Sequence, residues 1–245
     1  MPTDTPPPRR NWHFTRWLIV LIVAALGWGG WRAYTFRSAL AEAKALKWGV
    51  RYTDPATEIR RNWKAAFKNE TWLDGVRDVV IPTSEAFEQH LAIVHRLNPT
   101  SLGISRAATL RDLSALKPLT RLQGITLFGC TRLTNVDALK NLSALLVVNL
   151  GGCTGLTNVD GLKDLSGLQM IALNGCAGLT NMDALKNLSD LQYVYLHRCT
   201  GLTNVDALKN LSALQEVLLL GCTGLTKESV AALKAALPKA RITGP

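Results

Sequence analysis

The chain has 245 residues, a formal charge of +10 and an apolar share of 47%. Such a length makes one or two domains, the apolar share excludes a largely disordered chain, and five cysteines are too few for a dense disulfide framework. Basic and acidic residues are spread evenly over the two halves, so no basic arm for nucleic acid is indicated. All seven Trp fall at or before residue 72, whereas Leu dominates after residue 110, so the two halves are unlike.

Residues 1–16 form a Pro-rich tail in which helix and sheet are disfavoured. Next comes an uncharged run, Trp17 to Trp31, which with its flanks predicts a single transmembrane helix over 17–34. Trp12 and Trp17 stand at one end, Trp28 and Trp31 at the other, spaced as aromatic belts at two membrane interfaces. A cleaved signal peptide is the alternative, because Ala39-Leu40-Ala41 is an A-x-A site behind a basic start. Basic residues nearly balance across the run, so orientation rests on the short tail staying cytoplasmic; that puts the remainder of the chain on the exported side.

Residues 35–83 read as a juxtamembrane helical connector. Ser38 to Trp48 continues the membrane helix outward, Asp54-Pro55 breaks it, and Ala56 to Lys68 forms a second short helix. Ser84 then N-caps a helix through Arg96, with Phe87, Leu91 and Val94 on one face. Residues 84–106 are thereby an N-terminal cap over the repetitive region beyond them.

Cys130, Cys153, Cys176, Cys199 and Cys222 recur every 23 residues, and the text between them is almost constant: LTNVDALKNLSAL at 133–145 and again at 202–214. A period in the twenties marks a solenoid. One unit buries too little to stand alone, so about six units over 107–225 and two caps form one body. A degenerate copy runs from Leu110 to Leu127, and a weaker one ends at Leu102 and Ile104. Thr226 N-caps a helix from Lys227 to Leu237, and Ala240 and Ile242, 23 residues after Val217 and Leu219, predict a last short strand in the cap at 226–245.

The pattern Leu145-x-x-Val148-x-Leu150-x-x-Cys153-x-x-Leu156 resembles a leucine-rich repeat, close to the short bacterial and internalin-like kind, over roughly residues 97–245. The resemblance implies an α/β class, a curved solenoid with a parallel sheet on its concave face, and a protein-binding tendency. Fold alone does not settle function.

Each repeated column then has its own reading. The cysteines are buried thiols at the turn after each strand, bonded to backbone carbonyls, because no Cys-x-x-Cys pair gathers a metal. The Lys column (Lys140, Lys163, Lys186, Lys209), three residues after Asp137, Asp160, Asp183 and Asp206, is a solvated convex face. Strand positions between core residues point out of the sheet, and there the copies differ. They include Phe128, Asn149, Met170, Asn174, Tyr193, Tyr195, His197, Glu216, Leu218 and Leu220, a candidate patch for a protein or peptide partner. Drift among duplicated repeats explains the variation equally well. His90 and His95 do not converge on one side of a helix, and no hydrolase, P-loop or dinucleotide motif occurs. The expectation is a membrane-anchored, non-catalytic binding protein with no metal or cofactor. A structural envelope scaffold and a glycan-binding module remain as alternatives.

Overall fold

The computed structural model describes residues 38, 39, 41, 42, 45, 49–52, 76–81 and 91–244. The expected tail with Trp12, the span at 17–34 with Trp17, Trp28 and Trp31, and the helix at 56–68 lie outside them. No helix among the described residues is long and apolar enough to cross a membrane.

One rung shows how the sequence becomes structure. Leu133, Val136, Leu139, Leu142, Leu145, Val148 and Leu150 are all fully buried. Their spacing of three suits a chain that turns a corner at every third residue, and the final spacing of two suits a strand. Asn135 Oδ1 accepts from the Asp137 N–H at 3.2 Å, and Asn158, Asn181 and Asn204 do the same two residues ahead. Each amide holds its chain in an Asx turn that opens a short 3₁₀ turn. These turns span Asp137–Asn141, Asp160–Leu162, Asp183–Leu185 and Asp206–Leu208, with an earlier one at Ser114–Leu116. The Asp and Lys columns follow on this outer side, and Lys209 pairs with Asp206 at 2.8 Å.

The strands stack into one nine-stranded sheet in chain order. They are β1 (Gly49–Tyr52), β2 (Val76–Ile81), β3 (Ser101–Ser105), β4 (Gly124–Phe128), β5 (Val147–Asn149), β6 (Met170–Ala172), β7 (Tyr193–Tyr195), β8 (Glu216–Leu218) and β9 (Arg241–Thr243). Neighbours from β2 onward are parallel, and β3 to β8 pair in the 23-residue register, Gly124 with Val147, then Met170, Tyr193 and Glu216. Among the described residues, helix α1 (Leu91–Leu97) lies between β2 and β3, and helix α2 (Lys227–Ala236) lies between β8 and β9.

Three features differ from the sequence reading. The segment 35–83, read as a helical connector, contributes two strands. β2 is a further rung, because Val79 pairs with Leu102 at the same offset of 23. β1 joins it antiparallel and ends the sheet. At the other end the last strand slips by two: Val217 pairs with Ile242, not Ala240. The ten-residue α2 replaces a three-residue 3₁₀ turn and uses up the extra length. An even slip leaves the faces unchanged, so Ile242 still packs on the core. Thr226 caps α2 as expected, accepting from the Ser229 N–H at 3.1 Å.

The N-terminal cap is tied down by polar contacts. In α1, Ile93, Val94 and Leu97 are buried, and His95 Nε2 lies 2.8 Å from the Ala115 carbonyl oxygen. Ser38, Ala39, Ala41, Glu42 and Ala45 are helical. Ala39 is fully buried in the same core, and Arg96 of α1 reaches Glu42 at 2.7 Å. Helical geometry beyond the apolar run therefore docks on the solenoid.

Candidate functional site

Position within a strand decides which side chains face out. In β7, Val194 points into the core while Tyr193 and Tyr195 emerge on the open face. The register places three columns there. The first holds Gly124, Val147, Met170, Tyr193 and Glu216; the second holds Thr126, Asn149, Ala172, Tyr195 and Leu218. The third, at the end of β4 and just past β5 to β8, holds Phe128, Gly151, Asn174, His197 and Leu220. All ten positions expected from sequence thus share one side of the sheet, but they form two distinct surfaces.

The first surface is a polar aromatic ridge. The rings of Tyr193 and Tyr195 lie 6.5 Å apart at 49°. The Tyr193 hydroxyl donates to Gln215 Oε1 at 2.9 Å, and Gln215 Nε2 donates to Gln192 Oε1 at 3.2 Å. Glu216 accepts from Arg241 at 2.9 Å. Loss of hydration and the adjacent Glu216 carboxylate push the Tyr195 phenol above its ordinary range.

The second surface is a groove of about 620 Å³ along the strand ends, lined by Phe128, Gly152, Asn174, Gly175, His197, Arg198, Leu220 and Gly221. Its two ends are the most exposed large apolar side chains among the described residues, Phe128 at 47% and Leu220 at 61%. Four strand spacings of about 4.8 Å separate them, about 19 Å in all. Asn174 Oδ1 accepts from the His197 N–H at 2.9 Å, which ties two rungs together. The Phe128 ring lies over Gly151, where a Cβ would meet it at 3.3 Å.

The residues beneath the groove escaped the sequence reading. After each strand the chain turns through a left-handed residue: Gly129, Gly152, Gly175 and Gly221 have φ of 70° to 78°. Arg106 and Arg198 occupy the same column at φ of 57° and 59°, a conformation that strains a residue bearing Cβ. The 23-residue column in which Gly gives way to Arg carries that signal in the sequence.

Beneath the turn lie the thiols. Cys153, Cys176, Cys199 and Cys222 each donate to the carbonyl of the preceding rung, at 2.8 to 3.1 Å. All five cysteines are buried and free. Burial pushes Cys176 up to about 12. Cys153 and Cys199 are pushed up too, first by bonds to the neighbouring Cys130 and Cys222 thiols and then by burial. Their partners Cys130 and Cys222 are pushed down by the same bonds, and the ladder is buried and bonded as the spacing leads one to expect. Among the described residues no three His, Cys, Asp or Glu side chains gather as a metal site.

No protein-family model matches the sequence, and neither does any curated protein. Solved structures do resemble it. Internalin C2 from Listeria monocytogenes matches with a TM-score of 0.52 at 21% identity, over 79% of this chain and 87% of that one. The complex of Rad7 and Elc1 from yeast matches with a TM-score of 0.44 at 18% identity, over 70% and 56%. The leucine-rich-repeat ectodomain of the receptor kinase GASSHO1/SCHENGEN3 from Arabidopsis thaliana, solved with CASPARIAN STRIP INTEGRITY FACTOR 2, matches with a TM-score of 0.33 at 22% identity, over 55% and 20%. The internalin likeness shows the fold: an α/β solenoid of leucine-rich repeats with a parallel sheet.

Proposed function

We propose that the chain is a non-catalytic binding protein that holds a protein or peptide on the open face of its sheet. One observation carries this reading. The rungs are nearly identical in core, turn and outer face, yet the side chains that differ gather on one face. That face presents two tyrosines, a histidine and exposed Phe128 and Leu220. Large aromatic and aliphatic side chains on a rigid support are what a partner's apolar anchors fill. The solved complex of GASSHO1/SCHENGEN3 with CASPARIAN STRIP INTEGRITY FACTOR 2 lends the reading an analogy only.

Residues 17–34 anchor the chain in a bilayer in this reading, with the repeats on the exported side. Support comes from the uncharged Trp-flanked run and from Ala39, 0% exposed, which seats the following helical residues on the cap. Flotation with membranes resistant to carbonate, and cleavage of the repeats by protease in intact cells, are the expected outcomes. Recovery of intact chain in a detergent-free supernatant would reject the anchor.

A photo-crosslinking amino acid at Tyr195, and another at Lys163 on the 3₁₀ side, tests the binding face. A discrete adduct from position 195 alone is expected. Equal labelling from both positions, or none from 195, refutes the assigned surface.

A further inference from the structure

Building on that reading of the open face, we infer that the groove at the strand ends takes an extended acidic peptide with an apolar side chain near each end, and that Arg198 pairs with its carboxylate.

Four observations converge on this occupant. Arg198 sits in a left-handed backbone conformation that its column gives to Gly at 129, 152, 175 and 221 and to Arg only here and at 106, and strain of this kind points to a use. Its backbone N–H donates to the Leu220 carbonyl at 2.9 Å, but the exposed guanidinium makes no ion pair or side-chain hydrogen bond among the described residues. Its aliphatic stem lies over Gly221, where a Cβ would come within 3.2 Å of Arg198 Cγ, and Arg198 lines the groove together with Leu220. The surroundings are free of competing acids. The loops at 128–135, 151–158, 174–181, 197–204 and 220–226 contain no Asp or Glu, but do contain Arg132 and Arg198. Arg106 strengthens the same field at the far end, where its N–H donates to the Phe128 carbonyl at 2.6 Å.

Dimensions set the ligand's length. The separation of about 19 Å between Phe128 and Leu220 equals roughly six residues of extended chain. Between the two ends the floor is Gly152 and Gly175, which lets a backbone approach closely. Asn174, whose Oδ1 is bound to the His197 N–H, keeps its amide donors for a peptide carbonyl. A nucleic acid would need cations at every phosphate step along its path, whereas the only charged side chain lining this groove is Arg198, with Asn174 and His197 as its other polar side chains. Peptide is therefore the better fit.

The full chain in detergent micelles, panned against a displayed heptapeptide library, tests the proposal. Enriched peptides should carry Asp or Glu and two apolar residues about five or six positions apart. Their affinity should fall at least tenfold for Arg198→Glu and for Arg198→Gly, and stay unchanged for Lys163→Ala on the opposite side. Arg198→Gly relieves the backbone and should unfold at a higher temperature, so its loss of binding could not come from misfolding. Acid-free winners, or full binding by both Arg198 variants, overturn the assignment. So does a single-stranded oligonucleotide that competes with a steep salt dependence. Peptides lost on Tyr193→Ser but kept on Arg198→Glu leave the open-face reading standing and reject this one. No enrichment over empty micelles rejects both.

Discussion

Repeat consensus and tertiary packing disagree about Gly161, and that disagreement can be measured. Four other rungs carry Ala at the same position (Ala115, Ala138, Ala184 and Ala207), so replacing Gly161 by Ala should stabilise the chain by about 0.4–1 kcal/mol through the unfolded state alone. The structure predicts the opposite sign. Gly161 is buried against the preceding rung, and a Cβ there would overlap the Val136 carbonyl oxygen, with the Val136 carbonyl carbon at 2.5 Å and the Asp137 Cα at 2.7 Å. Ordinary contact begins near 3.4 Å, so that carbon must retreat by about 0.9 Å. The same carbonyl accepts from the Leu139 N–H at 2.9 Å and closes the 3₁₀ turn Asp137–Asn141, so it cannot withdraw freely. Overpacking of this kind costs about 1–3 kcal/mol, which in a chain of this size lowers Tm by roughly 2–12 °C. Gly167→Ala is the internal control. Its column also carries Ala, but a Cβ there would meet only Leu146 Cδ2, at 4.0 Å, so it should gain the consensus increment. Thermal unfolding followed by circular dichroism, with urea midpoints alongside, separates the two. A Gly161→Ala variant at least as stable as the parent would refute the packing argument.

Other expectations concern the ladder and the caps. The thiols should ignore iodoacetamide at pH 8 in the folded chain, and all five should react once it is unfolded. Because burial raises the folded pKa of Cys176 above its unfolded value of 9.0 to about 12, its contribution is fully present below pH 9 and is lost as pH climbs toward 12. A urea midpoint that falls over that window is expected; a flat one contradicts it. Arg96→Ala breaks an exposed pair with Glu42 and should lower stability by no more than about 0.2–1 kcal/mol. Hydrogen exchange near residues 38–45 should accelerate while that of β5–β7 stays unchanged. Thr226→Ala removes the cap of α2 and should cost about 1 kcal/mol, read as earlier melting of the C-terminal rung.

Much of this protein is dictated by its sequence alone. Seven apolar positions per 23 residues, with an Asn before each Asp and a Cys after each strand, leave one way to turn the chain and one face to bury. The thiol-to-carbonyl ladder, the helix capped by Thr226 and the outward columns at Tyr193, Tyr195 and His197 follow from that local code. Every rung repeats it, so the signal accumulates. What the code leaves open depends on distances between rungs. β1 pairs antiparallel with no repeat of its own. The two-residue slip of β9 comes from the length of α2. The division of the outward residues into a tyrosine ridge and a groove between Phe128 and Leu220 rests on left-handed turns that align only when rungs stack. Tertiary structure alone decided these, and with them the sign at Gly161, because non-local approach sets contacts that no single repeat contains.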